Sequence, residues 1–185
     1  MIEQFQWLVN NFKMNIHLIA MIMGNLFGIH VVNFLLGYRL NLLGLYPRTK
    51  HGLIGIVLAP LLHGSCTHLV FNAIPLFILL NFMLLRGLEQ AILITLFITL
   101  TSGCCVWLVG RKAIHVGASG LIMGYWGFLL SDAFQHPSVI TIFLVLTCLY
   151  YFGGFVSSLL PEEGSSWESH LFGFLSGLGA SYLSI

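Results

Sequence analysis

Apolar residues in this chain come in runs close to the length that crosses a bilayer, and nothing else constrains its fold as much. A span needs roughly 20 mostly apolar residues. Six segments approach that length: 16–36, 65–85, 91–109, 118–133, 138–159 and 168–185. The breaks between them carry turn and charge signals: YRLNLLGLYPRTK, RGLEQ, GRKAIH, FQHP and PEEGSSW. Charged residues make up 7% of the 185, against about 25% in a soluble domain. The pattern predicts one domain over residues 1–185, an all-α polytopic membrane protein surrounded by the lipid bilayer. A formal net charge of +1, with the basic residues scattered, excludes nucleic acid as a partner. The opening MIEQFQWLVNNFKMN is mixed and amphipathic and does not read as a cleavable signal peptide.

The fourth run is short. Its 16 residues cover roughly 24 Å as a helix, less than the ~30 Å hydrocarbon layer. Starting the helix below the membrane surface resolves the mismatch, with HVGASG (115–120) descending into the protein. Irregular backbone at that depth is tolerated only against protein or a wet cavity. The connection from Gly37 to Gly64 contains GLIGIVLAPLL (52–62), apolar but too short to cross, which predicts a half-submerged segment.

Polar residues inside spans are costly and point to function. HGSCTHLVFN places His68 and Asn72 four apart, on one helix face, with Ser65 or Thr67 as the cap. Gly120 and Gly124 form a GxxxG after Ser119; Gly173 and Gly177 form another after His170. Two such stripes let backbones touch, which would bring Ser119 to His170 at similar depth. A hydroxyl within reach of an imidazole is the minimum for an activated nucleophile. Asp132 lies roughly 20 Å along the helix from Ser119, and Glu168 belongs to the interface, so a dyad is expected rather than a triad. Asn72, His68 and the backbone N–H groups at Ser119 are the candidate oxyanion donors. HExxH is absent, which excludes a zinc intramembrane protease, although His63, His68, His115 and His170 form a second conceivable cluster. His17, His30 and His136 read as structural hydrogen bonders, His115 as a brace for the loop before Ser119, and Cys104 and Cys148 as buried small apolar residues.

His63-x4-His68-x3-Asn72, Gly117-Ala118-Ser119-Gly120 and His170-x2-Gly173-x3-Gly177, in that order on the second, fourth and sixth runs, resemble the rhomboid family of intramembrane serine proteases. The resemblance implies a bundle of six transmembrane helices with no cofactor and no metal. Ser119 would be the nucleophile and His170 the base, with Asn72, His68 and the Ser119 amide lining the oxyanion hole. The substrates would be transmembrane proteins cut near the membrane boundary. The implied location is the bacterial cytoplasmic membrane, with the site opening to the extracytoplasmic side. The fifth span would be a lateral gate with Gly153-Gly154 as its flexible point, and PEEGSSW the cap loop. Many members carry a tyrosine four residues after the serine; here Met123 stands there, and Trp167 or Phe172 is the aromatic expected to orient the base. An inactive relative that binds membrane helices without cutting them is the alternative. Basic residues fall mainly on the connections that this orientation places outside (Arg39, Arg48, Lys50, Arg111, Lys112), with Lys13 and Arg86 inside, a distribution that by the positive-inside rule favours the reverse orientation.

Overall fold

The computed structural model describes residues 2–152, 160 and 166–183. Helix follows helix: α1 (Ile2–Leu35), α2 (Gly52–Leu58), α3 (Cys66–Leu84), α4 (Leu88–Val109), α5 (Ser119–Gln135), α6 (Val139–Phe152) and α7 (Trp167–Tyr182). Short 3₁₀ turns cover Arg39–Leu43 and Ala59–Leu61. Three of these helices are long and apolar enough to cross a membrane by themselves: Gln6–Leu35, Cys66–Leu84 and Leu88–Val109. The remaining apolar runs are shorter as helices, 17 residues in α5 and 16 in α7. Residues 153–159 and 161–165, and with them Gly153-Gly154 and most of the cap loop, lie outside the described residues.

Helix ends follow local chemistry. Ser65 caps α3, its hydroxyl accepting from the His68 N–H at 3.0 Å. α3 then runs through Pro75, which is buried. α1 starts well before the apolar run, so the amphipathic opening and the first span form one helix. α4 has no basic residue in its last turn. Arg48 supplies one from the first connection, donating from Nη1 to the Leu108 carbonyl at 3.1 Å.

α5 sits at the centre. Every residue from Ile122 to Leu129 is buried, the pattern of a helix enclosed on all sides. It packs most extensively on α7 and also touches α3, α4 and α6. Leu79, Met83, Ile94, Ile98, Met123 and Phe128 fill the core around it. Polar side chains within the apolar helices bond locally: Asn81 donates to the Phe77 carbonyl at 2.7 Å and Ser102 to that of Ile98 at 2.6 Å, while the buried Asn81 Oδ1 has no partner among the described residues. At the far end of α5, Asp132 holds Arg86 at 2.8 Å and His136 at 3.3 Å. Cys104 is exposed on α4 rather than buried, because the core face of that helix carries Ser102, Gly103 and Val106. His30 is buried, and neither of its ring nitrogens has a hydrogen-bond partner among the described residues, against the expectation of a structural bond.

The first connection is folded, not loose. α2 lies against α4 and the 3₁₀ turn after it touches α1 and α5; Leu45, Ile56, Ala59 and Val106 form a small second core. The apolar segment is buried on one side only: Gly52, Gly55 and Ile56 face in, while Leu53, Ile54 and Val57 face out.

Candidate active site

Ser119 opens α5, and the loop that delivers it is stitched down from two sides. Leu45 and His115 exchange backbone hydrogen bonds at 3.0 and 2.8 Å, and the Gly117 N–H donates to the Ala59 carbonyl at 2.9 Å. The first connection thus serves as a template for the loop before the serine. Gly117 has φ +120°, a backbone conformation left to glycine. A Cβ built there would lie 2.7 Å from His68 Nε2 and 3.8 Å from Ser119 Oγ. The same bare Cα therefore borders the imidazole edge and the hydroxyl, and only glycine leaves the space between them open.

His68 stands one turn into α3. The Gly64 N–H points at its Nδ1 from 3.5 Å, a long contact that assigns the proton to Nε2, the nitrogen beside Gly117. Asn72 is buried on the same face, and one of its amide hydrogens goes to the His68 carbonyl at 2.8 Å. Its Nδ2 carries a second hydrogen. His68 lies within electrostatic reach of His170.

α5 and α7 meet through their glycines. A Cβ on Gly173 would run into the Gly120 carbonyl, and one on Gly177 into that of Gly124. A Cβ on Gly120 would meet the Ser169 carbonyl at 3.1 Å. Ser169 and His170 are consecutive, as are Ser119 and Gly120, so the two helix starts lie side by side at one level. Met123 is buried within the core. Tyr125, two positions on, bonds to Thr95 of α4 at 2.6 Å and so serves a different helix pair. Phe172 packs on the second core formed by Leu45, Ile56, Ala59 and Val106. A cavity of about 40 Å³ lies behind the loop, with Ser119, Ser102, Ser169 and His115 among its lining. That is space for about three waters next to polar partners.

Sequence reasoning missed the charged partners. Glu168 is buried at the start of α7 and accepts from Arg111 Nε at 2.6 Å and Nη2 at 3.1 Å. Its only sequence signal is a carboxylate at the edge of an apolar run. The hydrogen bond to Glu168 raises the Arg111 guanidinium further above its ordinary value. Among the described residues no group of three His, Cys, Asp or Glu side chains is arranged to hold a metal ion.

A family model described as the Rhomboid domain matches residues 50–185, well over half of the chain. The chain belongs to the rhomboid family. This rhomboid protein is similar to an uncharacterized protein of Mycobacterium tuberculosis, 35% identical over 168 residues that cover 85% of the chain and 70% of the relative. A protein of Mycobacterium bovis, also described as uncharacterized, matches to the same extent. An uncharacterized protein of Mycobacterium leprae is 30% identical over 98% of this rhomboid chain and 74% of its own length. Family and apolar helices together make it an integral membrane protein.

Proposed function

We propose that this rhomboid protein is an intramembrane serine endopeptidase that cleaves transmembrane proteins near the membrane boundary. Ser119 is the nucleophile and His170 the general base. The observation that carries the reading is the glycine contact of α5 with α7, which sets the two helix starts level. The hydroxyl of Ser119 attacks the scissile carbonyl carbon as its proton passes to His170. The carbonyl oxygen becomes an oxyanion and receives hydrogen bonds from the Ser119 N–H, His68 Nε2–H and the second Asn72 amide hydrogen. The imidazolium then protonates the leaving amine as the C–N bond breaks. Water, deprotonated by the same imidazole, opens the acyl-enzyme and regenerates the serine.

The reading extends to a single membrane domain of six spans in the bacterial cytoplasmic membrane, with the site facing the extracytoplasmic side. The short α5 supports only the depth of the site: a helix that begins below the surface admits water to a serine at membrane depth. The test is a fluorophosphonate probe together with a transmembrane reporter. Wild type should be labelled and should cut; Ser119→Ala and His170→Ala should each lose both activities, to a similar extent, because the dyad acts as a unit. Reporter cleavage that survives Ser119→Ala would rule the mechanism out. A folded wild type that binds the reporter but is neither labelled nor cuts it is the inactive, helix-binding relative.

A further inference from the structure

The glycine stripes fix how near α7 comes to α5. Further along, Trp126 packs on Phe174 with ring centroids 5.4 Å apart, and Gln135 donates to the Ser181 hydroxyl at 2.7 Å, so the far part of the joint is interlocked. At the two helix starts the contact is bare backbone, and there a polar group is placed to set the height and rotation of α7.

Glu168 lies in the first turn of α7, two residues before His170, with 3% of its surface exposed. A carboxylate buried so deeply is costly unless it is paired and hydrogen-bonded. It accepts three hydrogen bonds from Arg111: from Nε at 2.6 Å, Nη2 at 3.1 Å and the backbone N–H at 3.2 Å. The two side-chain bonds are a fork-on-carboxylate pair, which constrains angle as well as distance. Arg111 stands on the α4–α5 connection, the same loop that delivers Ser119.

A second tie runs parallel to the first. His115 is buried, and its Nδ1 lies 3.2 Å from the Ser166 hydroxyl, immediately before α7. Its Nε2 lies 3.1 Å from the Arg111 carbonyl. Arg111 and His115 from the loop bond to Glu168 and Ser166 at the helix start, and the backbone from Ser166 to Glu168 completes the circuit. The serine hangs from one side of that circuit and the histidine from the other.

We propose that Arg111 and Glu168 are positioning residues, a clamp that sets the height and rotation of His170 against Ser119, with His115 and Ser166 as its second tie. The clamp rests on the dyad reading above. It also commits the carboxylate of Glu168 to the guanidinium, which removes it as a third catalytic member. Neither residue touches substrate; both act through the distance between hydroxyl and imidazole, where small misplacements cost rate steeply.

The experiment is a time course of fluorophosphonate labelling on the purified full chain, followed to its end point. The end point counts competent sites, and the rate reports how well each site is aligned. Glu168→Gln keeps the shape and loses the charge. It should label about 10- to 100-fold more slowly with an end point near that of wild type, and kcat on the reporter should fall in proportion while KM stays within about twofold. Glu168→Asp should recover part of the rate. A merely structural role predicts the opposite split: a lower end point with an unchanged rate per labelled site, and that result overturns the clamp. Should Glu168→Gln not fold, Arg111→Lys, which keeps the charge but loses the fork, is judged by the same criterion. Wild type that resists the probe would instead remove the dyad reading, and the catalytic sense of the clamp with it.

Discussion

Gly117 shows how much of this site depends on a missing side chain. Its positive φ and the His68 edge at 2.7 Å from a would-be Cβ act on the same atom. Gly117→Ala should therefore cost about 1–3 kcal/mol of stability through backbone strain. It should also slow reporter cleavage by roughly 100-fold, because the methyl group pushes His68 off its place. Thermal unfolding in detergent and a cleavage assay check the two halves separately; a fully active variant would show that the loop has room to spare. His63 carries a second prediction. It lies in the loop ahead of α3, fully buried, with neither ring nitrogen hydrogen-bonded among the described residues. Burial first, then its neighbours His68 and His30, push its imidazole down to about 4 from the ordinary 6.5. A depressed histidine is neutral in the fold, so its contribution is complete above pH 6.5. That contribution is lost as the pH falls from 6.5 toward 4, because the unfolded chain takes up the proton first. The loss over that window is about 3 kcal/mol. Unfolding midpoints at pH 7.5 and pH 5 should differ clearly in wild type and much less in His63→Phe; equal slopes would exclude His63 as the source.

At the scale of elements, the contact between α5 and α7 is the most sensitive joint. Gly173→Ala drives a methyl group into the Gly120 carbonyl. Overpacking of this kind costs about 1–3 kcal/mol. The larger expected effect is on Ser119, whose labelling by a fluorophosphonate should slow markedly as α7 moves away. Labelling at the wild-type rate would mean that the helices adjust without separating. This joint was legible in the sequence because spacing alone carries it: glycines four apart define a stripe on any helix. The same holds for Ser65 as a cap and for His68 with Asn72, since i and i+4 share a face wherever the helix goes. The bond from Arg48 to Leu108 and the fork from Arg111 to Glu168 were not legible. Each joins a loop to a helix end far away in sequence, and no period or motif encodes which loop will fold back. Tyr125 illustrates the limit within one helix. Its distance from Ser119 was readable, but that it would turn toward Thr95 depended on where α4 lies.

For the whole molecule, orientation is the open physical quantity that the proposal fixes. Lys50, exposed near the start of α2, belongs outside the cytoplasm in that reading. Lys50→Cys in a cysteine-free background should react with an impermeant maleimide on intact spheroplasts. The background matters because Cys66 and Cys104 are exposed. Reaction only after permeabilisation would invert the protein in its membrane and put the site on the opposite side. The short fourth run foretold the short α5, whereas the reach of α1 back to Ile2 did not show in the apolar pattern. Among the described residues three helices reach full span length, and α5 and α7 stop short at 17 and 16 residues. The contact of α5 with α7 has a further consequence for how the molecule shares out mechanical compliance. Two helices joined backbone to backbone deform as one solid piece, and a change of bilayer thickness or lateral pressure moves them together. Among the described residues α6 shows no such glycine joint: it rests on α5 and leaves Phe143, Leu146 and Tyr150 exposed to the surroundings. Elastic stress from the membrane would then fall first on the periphery; under the proposed function, Ser119 and His170 would keep their alignment on the stiff pair while the approach of a substrate helix followed the lipid.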